Sequence, residues 1–476
     1  MQSSAPVTTW NPAIFREYDI RGIAGTDLSP EFAYQLGLAY AEYTRPKSVK
    51  RVSVGKDCRL SSDAYADALV RGLSDKGLDV VRLGVCPTPL TYFSVFELGL
   101  DGGIMVTGSH NPGDYNGFKI GVGKATLHGE EIQLLRALLS RGQLVAPKIP
   151  PGRVTEQEII KRYQSYLVKH ARPLRPLKIV IDAGNGTAAT VAPDLFRSLG
   201  AKVSELYCTL DGRFPNHHPD PTVPANLKDL VSLVLREKAD FGVAFDGDSD
   251  RIGLVDEQGR IIFGDEMMVL FARDVLHDFP GATVISEVKS SHRLYQDIAK
   301  RGGTPLMWKT GHSLIKSKMK ETGAKLAGEM SGHIFFADRY FGFDDAIYAA
   351  LRVFEIVSAA NSPLSSLLAD LPPSFTTPEI RVDCREDLKF ALVARTKARL
   401  IDRKIDFNDI DGVRAEFGDG WGLVRASNTQ PVIVMRFEAP SQRRLQEIRA
   451  IVEGELAGAA SDVGHPVLAL GGESSH

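Results

Sequence analysis

Short apolar runs that each end in a glycine-bearing polar loop constrain this chain more than any other feature. GIMV at 103–106 leads into TGSHNP at 107–112, LKIVID at 177–182 into AGNGT at 183–187, and DFGVAF at 240–245 into DGDSDR at 246–251. An apolar run of this length closed by glycine reads as a buried strand that stops in a tight loop. Segments with helical periodicity lie between such runs. After a strand at 51–54, Ala64, Ala68, Leu69 and Leu73 recur on one face of a helix over 63–76, and 79–83 form the next strand. Alternation of this kind predicts α/β sheets.

A chain of 476 residues is too long for one core, and about three to four domains are expected. The proline-rich run VAPKIPPG at 145–152 marks a first boundary, after which 155–170 reads as a helix. A later boundary falls at DLPPS, 370–374. The expected division is 1–152, 153–256 and 257–371 as α/β domains, then 372–458 as a smaller α+β domain. The last contains GWGLVR at 420–425, PVIVMRF at 431–437 and a helix near 443–456, and 459–476 is expected to be a disordered tail. The first three segments share a pattern of strand, glycine-rich loop and helix, as structural repeats would, without strong sequence identity between them.

The formal net charge of −2 and the absence of a basic stripe argue against nucleic-acid binding. Cys58, Cys86, Cys208 and Cys384 are scattered without CxxC spacing, so neither a zinc site nor a disulfide framework is indicated. The first residues lack the basic and apolar regions of a secretory signal, and no run of about 18 apolar residues exists to span a bilayer. The expectation is a soluble cytoplasmic protein with no membrane partner.

Six segments carry groups suited to chemistry. Ser109 is presented at the tip of TGSHNP with His110 beside it and Lys119 downstream in YNGFKI. A serine so placed can carry a phosphoryl group; the plain alternative is a capping serine in a strand-to-loop turn. A hydrolase elbow is excluded, because GxSxG is absent. Asp246, Asp248 and Asp250 stand at alternate positions, where their oxygens can converge on one hard divalent cation such as Mg²⁺. An EF-hand is the rival, with Glu257 at the twelfth position, but Arg251 stands where that loop needs glycine and the flanks are strand-like. A solvated acidic turn is the plain alternative.

KTGH at 309–312 and GEMSGH at 328–333 are small-residue loops with hydrogen-bonding side chains. Glu329 and Ser331, two apart, would face the same way in an extended loop and suit a pair of sugar hydroxyls. RASNTQP at 425–431 gathers an arginine, two hydroxyls and an amide, an anion cradle or an ordinary turn. In EYDIRG at 17–22, Arg21 is a phosphate ligand or a surface ion-pair partner.

TGSHNP, DGDSDR, GEMSGH and RASNTQP, in this order and spacing, resemble the α-D-phosphohexomutases, and most nearly the bacterial phosphomannomutase/phosphoglucomutase branch. Phosphoglucosamine mutases are similar but usually carry GEQSGH and an SGTE-type loop. The resemblance runs from EYDIRG to the last helix and implies three related α/β domains with mixed sheets plus a C-terminal α+β domain around a cleft. It implies that Ser109 is the phosphoserine, which with Asp246, Asp248 and Asp250 holds Mg²⁺. His110, Lys119 and Arg251 would be catalytic, with His110 and Lys119 candidates for general acid or base. For Lys119, this role would need a pKa lowered by nearby positive charge. Glu329 and Ser331 would contact sugar hydroxyls. Arg425, Ser427, Asn428 and Thr429 would hold the phosphate that is not reacting. Tyr18, Arg21, Lys289, Thr310, Gly311, His312 and His333 match further substrate-binding positions, Lys289 in a departing setting, KSSHRL at 289–294. The implied activity is interconversion of mannose or glucose 1- and 6-phosphates, with a hexose 1,6-bisphosphate such as glucose 1,6-bisphosphate as intermediate and activator. A phosphohexose is the expected small-molecule partner, and a monomer the expected state, with a dimer left open. A phosphoglucosamine mutase, a metal-dependent sugar phosphatase and a non-catalytic sugar-phosphate binder are the alternatives.

Overall fold

The computed structural model describes residues 10–427 and 430–464. Two compact units divide it: the chain up to Thr283 with Gly311–Ala369, and Val284–Thr310 with the chain from Asp370 onward.

The larger unit contains two sheets built on the same plan. In the first, Arg51–Lys56 lies parallel to Asp79–Val85 and Gly102–Val106, and Gly102–Val106 turns back antiparallel into Tyr115–Val122. Ile20–Ile23 adds antiparallel on one edge and Val154–Glu156 parallel on the other. In the second, Phe241–Phe245 is parallel to Lys178–Asp182, itself parallel to Lys202–Leu206, and Phe241–Phe245 turns back antiparallel into Ile252–Asp256. Each sheet is mixed because a parallel core strand feeds an antiparallel hairpin, and the motif loop is the hairpin's connection. A third hairpin, Leu326–Gly328 with Ile334–Phe336, carries GEMSGH in the same way. The repeat suspected from the sequence is thus a repeat of topology.

Burial explains the strands. All five residues of Gly102–Val106, of Phe241–Phe245 and of Ile252–Asp256 are buried, as expected for strands covered on both faces. Around the first sheet, Ile104, Val106 and Phe118 pack with Phe32, Leu36 and Leu69 of the flanking helices Pro30–Thr44 and Ser62–Asp75. Pro30 opens its helix where a missing N–H costs nothing, and the Ser29 hydroxyl caps it by accepting from Phe32 N.

Some expectations shift. Residues 154–156 are an edge strand and the helix begins only at Ile159; the strand pairs with Asp79–Val85, so the first sheet reaches past 152. Ile261–Ile262 pairs with Ile252–Asp256, so the second sheet likewise passes 256. Alternating apolarity over so few residues fails to distinguish an edge strand from a helix start.

The smaller unit contains an antiparallel sheet in which Val432–Ala439 pairs with Trp421–Ala426, Phe375–Thr376 and Ile380–Asp383. Helices Lys389–Asp402 and Gln442–Asp462 cover it, with Leu392, Leu400, Ile448, Val452 and Leu456 in its core. The final helix runs to Asp462, so 459–462 are helical where a tail was expected; Ala459 and Ala460 are buried, which fixes that last turn. The expected tail otherwise extends beyond the described residues.

Candidate active site

Ser109 lies in the connection of the first hairpin, buried, with a left-handed φ of 50°. Its Oγ is 3.1 Å from Asp246 Oδ2 and 3.2 Å from His110 Nδ1, and its N–H donates to Thr107 Oγ1 at 2.8 Å. Left-handed backbone is costly for serine, and Arg59 over-determines it. The buried Arg59 guanidinium donates to the carbonyls of Ser109 (2.8 Å), Asn111 (2.5 Å), Tyr115 (3.0 Å) and Pro112. Its Nε pairs with Asp57 at 3.1 Å, and Asp57 also accepts from Gly108 N at 3.1 Å. A Cβ at Gly108 would stand 2.5 Å from the Arg59 guanidinium, so glycine is required there. Arg21 joins the loop by donating to Asn111 Oδ1 at 2.5 Å and pairs with Asp19.

The acidic loop is the connection of the second hairpin, not a helix-flanked EF-hand. Gly247 presses it against the serine loop; a Cβ there would lie 2.6 Å from the Ser109 carbonyl. Asp246, Asp248 and Asp250 are fully buried, and one oxygen from each lies within 4.8 Å of the others. Two carboxylates so close repel by about 3.5 kcal/mol at an effective dielectric of about 20. Burial, then Asp248 and Asp250, push the Asp246 pKa well above the usual carboxylate range. Lys119 Nζ bridges Asp248 Oδ2, at 2.7 Å, and Asp250 Oδ2. Thr88 Oγ1 also donates to Asp248 Oδ2, at 2.5 Å.

These residues fit a hard divalent cation. With Asp246 ionised against a bound cation, three carboxylates and one ammonium leave two negative charges, which one such ion cancels. Asp248 Oδ1 and Asp250 Oδ1 are buried without a hydrogen-bond partner, and a metal ion is the ligand that an orphaned carboxylate oxygen accepts. Asp246 Oδ2, beside Ser109 Oγ, completes the oxygen set.

Lys119 corrects one expectation. Burial alone would lower its pKa, but Asp248, Asp250 and Asp246 outweigh burial and raise it above the ordinary lysine value. The sequence hid this because the carboxylates come from a loop about 130 residues away. His110 moves the other way: burial, then Arg251 and Arg21, hold its pKa well below normal, leaving a neutral imidazole beside Ser109.

Arg251 donates through Nε to His333 Nε2 at 3.0 Å. Its burial opposes, and Asp220, Asp246 and Asp250 favour, a raised pKa. The sugar loop is a turn, with Glu329 N donating to His333 O (2.9 Å) and Gly332 N to Glu329 O (3.0 Å). Glu329 and Ser331 are therefore not on an extended segment as expected. Glu329 Oε1 accepts from Gly311 N at 2.6 Å. Gly311 packs on Tyr18, where a Cβ would approach the ring to 2.4 Å, and the Tyr18 and His312 rings meet edge to face at 5.7 Å.

In the smaller unit, Asp411 draws Thr310 and Arg425 together: it accepts from Thr310 N at 3.0 Å and pairs with Arg425 at 3.1 Å. Ser427 Oγ accepts from Gln430 N at 3.1 Å. Lys289 pairs with Glu379 at 3.1 Å, an ion pair that lowers the Glu379 pKa to about 2. Asn428 and Thr429 lie outside the described residues.

Sequence reasoning missed Asp57, Arg59, Thr88, Lys316 and Asp344. Asp57 and Arg59 had a signal, since they directly follow the strand Arg51–Lys56 and so occupy the same end of the sheet as the serine loop. Asp344 had none, because its meaning depends on a pairing with His333 across a hairpin.

The chain matches four successive phosphoglucomutase/phosphomannomutase domains: α/β/α domain I over residues 12–143, domain II over 161–259, domain III over 263–375 and the C-terminal domain over 379–455. It belongs to the phosphoglucomutase/phosphomannomutase family. It is 45% identical over 464 residues to a phosphomannomutase/phosphoglucomutase of Pseudomonas aeruginosa, covering 98% of this chain and all of the relative. A phosphoglucomutase of Neisseria gonorrhoeae is 46% identical over 446 residues, covering 92% and 96% of the two chains. Among solved structures, a phosphoglucomutase/phosphomannomutase family protein of Burkholderia thailandensis superposes with a TM-score of 0.89 at 41% identity, covering 95% of this chain and 98% of that one.

Proposed function

We propose that this enzyme interconverts hexose 1-phosphates and hexose 6-phosphates, of glucose and mannose alike, through phosphoserine 109 and a hexose 1,6-bisphosphate. The carrying observation is the buried Ser109 Oγ set between Asp246 Oδ2 at 3.1 Å and neutral His110 at 3.2 Å. In the first half-reaction the bond from Ser109 Oγ to phosphorus breaks and one from a sugar hydroxyl to phosphorus forms, the hydroxyl's proton passing to the general base, for which His110 and Lys119 are the candidates, while Ser109 Oγ takes up a proton as it leaves. The bisphosphate reorients and returns its other phosphoryl group to Ser109. Such transfer depends on positioning and charge neutralisation. Asp246, Asp248 and Asp250 with Ser109 would hold a Mg²⁺ ion, which supplies charge neutralisation at the transferring group.

Lys119, at Asp248 and Asp250, is with His110 a candidate for general acid or base, and Arg251 neutralises the phosphoryl oxygens. His110, neutral and with Nδ1 at Ser109 Oγ, can accept the serine proton when Ser109 takes the phosphoryl group back. Glu329 and Ser331 bind sugar hydroxyls, and Tyr18, Arg21, Lys289, Thr310, Gly311, His312 and His333 contribute further contacts. Arg425 and Ser427, with Asn428 and Thr429, are assigned to the phosphate that is not reacting. Glucose 1,6-bisphosphate, as a source of the serine phosphoryl group, is the activator. Among the described residues no helix is long and apolar enough to cross a membrane, which supports a reading of the enzyme as cytoplasmic.

The test is ³¹P NMR of glucose 1-phosphate with Mg²⁺ and a trace of glucose 1,6-bisphosphate, repeated with mannose 1-phosphate. Both 6-phosphates are expected at similar rates. Release of inorganic phosphate would make the enzyme a phosphatase, and turnover of glucosamine 6-phosphate alone would move it to the phosphoglucosamine branch.

A further inference from the structure

A buried polar chain runs from Lys316 through Asp344 and His333 to Arg251. Lys316 Nζ donates to Asp344 Oδ1 at 2.9 Å. Asp344 Oδ2 faces His333 Nδ1 at 3.2 Å, and Arg251 Nε donates to His333 Nε2 at 3.0 Å. Asp344 is fully buried and His333 is 3% exposed.

The donors fix the direction of the chain. An arginine Nε always carries its hydrogen, so His333 Nε2 must present its lone pair. A neutral imidazole then carries its proton on Nδ1. That proton faces Asp344 Oδ2 at 3.2 Å and Asp250 Oδ1 at 3.8 Å. His333 Nδ1 and Asp344 Oδ2 are both buried and neither makes a well-formed hydrogen bond, so at 3.2 Å each is the group available to satisfy the other. His312 Nδ1 lies farther from Asp344 Oδ2, at 3.6 Å, and stacks its ring on His333 with centroids 5.3 Å apart, which limits tipping of the imidazole. Lys316, held over the Tyr92 ring at 4.4 Å, anchors the far carboxylate oxygen.

We propose that Asp344 is a positioning residue for phosphoryl transfer: through His333 it fixes the tautomer that accepts Arg251 Nε, and so sets the direction in which the guanidinium presents its two amino groups. This rests on the reading that Arg251 engages the transferring phosphoryl group. Asp250, His333 and Asp344 also lie close enough to suit a metal ion, but the ammonium of Lys316 already neutralises Asp344, and the imidazole lone pair faces Arg251.

Asp344→Asn isolates the effect. Lys316 requires an oxygen facing it, so the new amide NH₂ would face His333 Nδ1. The imidazole proton would move to Nε2 and oppose the Arg251 Nε–H. In ¹⁵N-histidine-labelled full-length enzyme, the His333 signals, assigned by their loss in His333→Gln, are expected to show a protonated Nδ1 and a bare Nε2. Asp344→Asn is expected to invert them. With glucose 1-phosphate, kcat should fall roughly tenfold to hundredfold, the worth of one charge-assisted bond in the transition state, with KM unchanged. Glutamine at 333 still offers Arg251 an acceptor but no tautomer, so adding Asp344→Asn to His333→Gln should cost less than about twofold more. A wild-type His333 protonated on Nε2, or an equal loss from Asp344→Asn in both backgrounds, overturns the proposal. The tautomer is read on the wild-type protein and so does not depend on the variant folding. If the wild type shows the expected tautomer but no mutase turnover, the functional reading fails, and the role of Asp344 in transfer fails with it, while its hold on His333 stands.

Discussion

Replacing Arg59 by lysine removes the clamp on the serine loop while keeping its charge. The guanidinium serves Asp57 through Nε and four loop carbonyls through its amino groups. A lysine ammonium has three hydrogens and no planar fork. With one spent on Asp57, two remain for four carbonyls, so two lose a charge-assisted partner. At about 1.5 kcal/mol each, the low end for bonds to charged groups, the loss is about 3 kcal/mol. For a unit of this size that lowers the first unfolding midpoint by roughly 4 °C. The larger effect is on function, because Ser109 holds a left-handed backbone that those bonds enforce. The assay is calorimetric unfolding together with transfer of labelled phosphoryl from glucose 1,6-bisphosphate to Ser109. The labelling rate should fall at least tenfold even where the protein is fully folded. Arg59→Lys with wild-type melting and wild-type labelling would refute the argument that this side chain shapes the loop.

Gly247→Ala places a methyl group 2.6 Å from the Ser109 carbonyl; because both partners are backbone, the two loops must separate, and kcat should drop while the protein stays folded by circular dichroism. Chelation with EDTA should abolish turnover and Mg²⁺ restore it, whereas Asp248→Asn, with one negative charge fewer, should need more Mg²⁺ for half-maximal rate. Arg425→Ala leaves Asp411 without its arginine and should raise KM roughly tenfold to hundredfold, the loss of a charge-assisted phosphate contact. Lys289 lowers the Glu379 pKa to about 2, so the stability this pair gives is complete above the usual carboxylate range and is lost as pH falls through about 2. Urea unfolding of wild type and Glu379→Gln should accordingly differ at pH 6 and converge near pH 2.

The strands and the loops that carry chemistry are legible from the residues alone. Gly102–Val106 and Phe241–Phe245 are legible because a strand covered on both faces is apolar without interruption, and a glycine-bearing motif marks where each stops. Ser109 and the three aspartates were legible because their chemistry is local: the aspartates alternate within five residues and need no distant partner to suggest a cation. The edge strands Val154–Glu156 and Ile261–Ile262 were not, since they are short and half-exposed and owe their form to the neighbour that pairs with them. Tertiary structure alone decided the electrical state of the site. Lys119 lies within the strand Tyr115–Val122 yet is raised by carboxylates from another sheet. Arg59 reads as an ordinary basic residue until four carbonyls of a loop some fifty residues on converge upon it, and Asp344 gains a meaning only beside His333. Backbone form follows from neighbours along the chain. Charge, protonation and orientation follow from distance and dielectric, which a sequence does not contain.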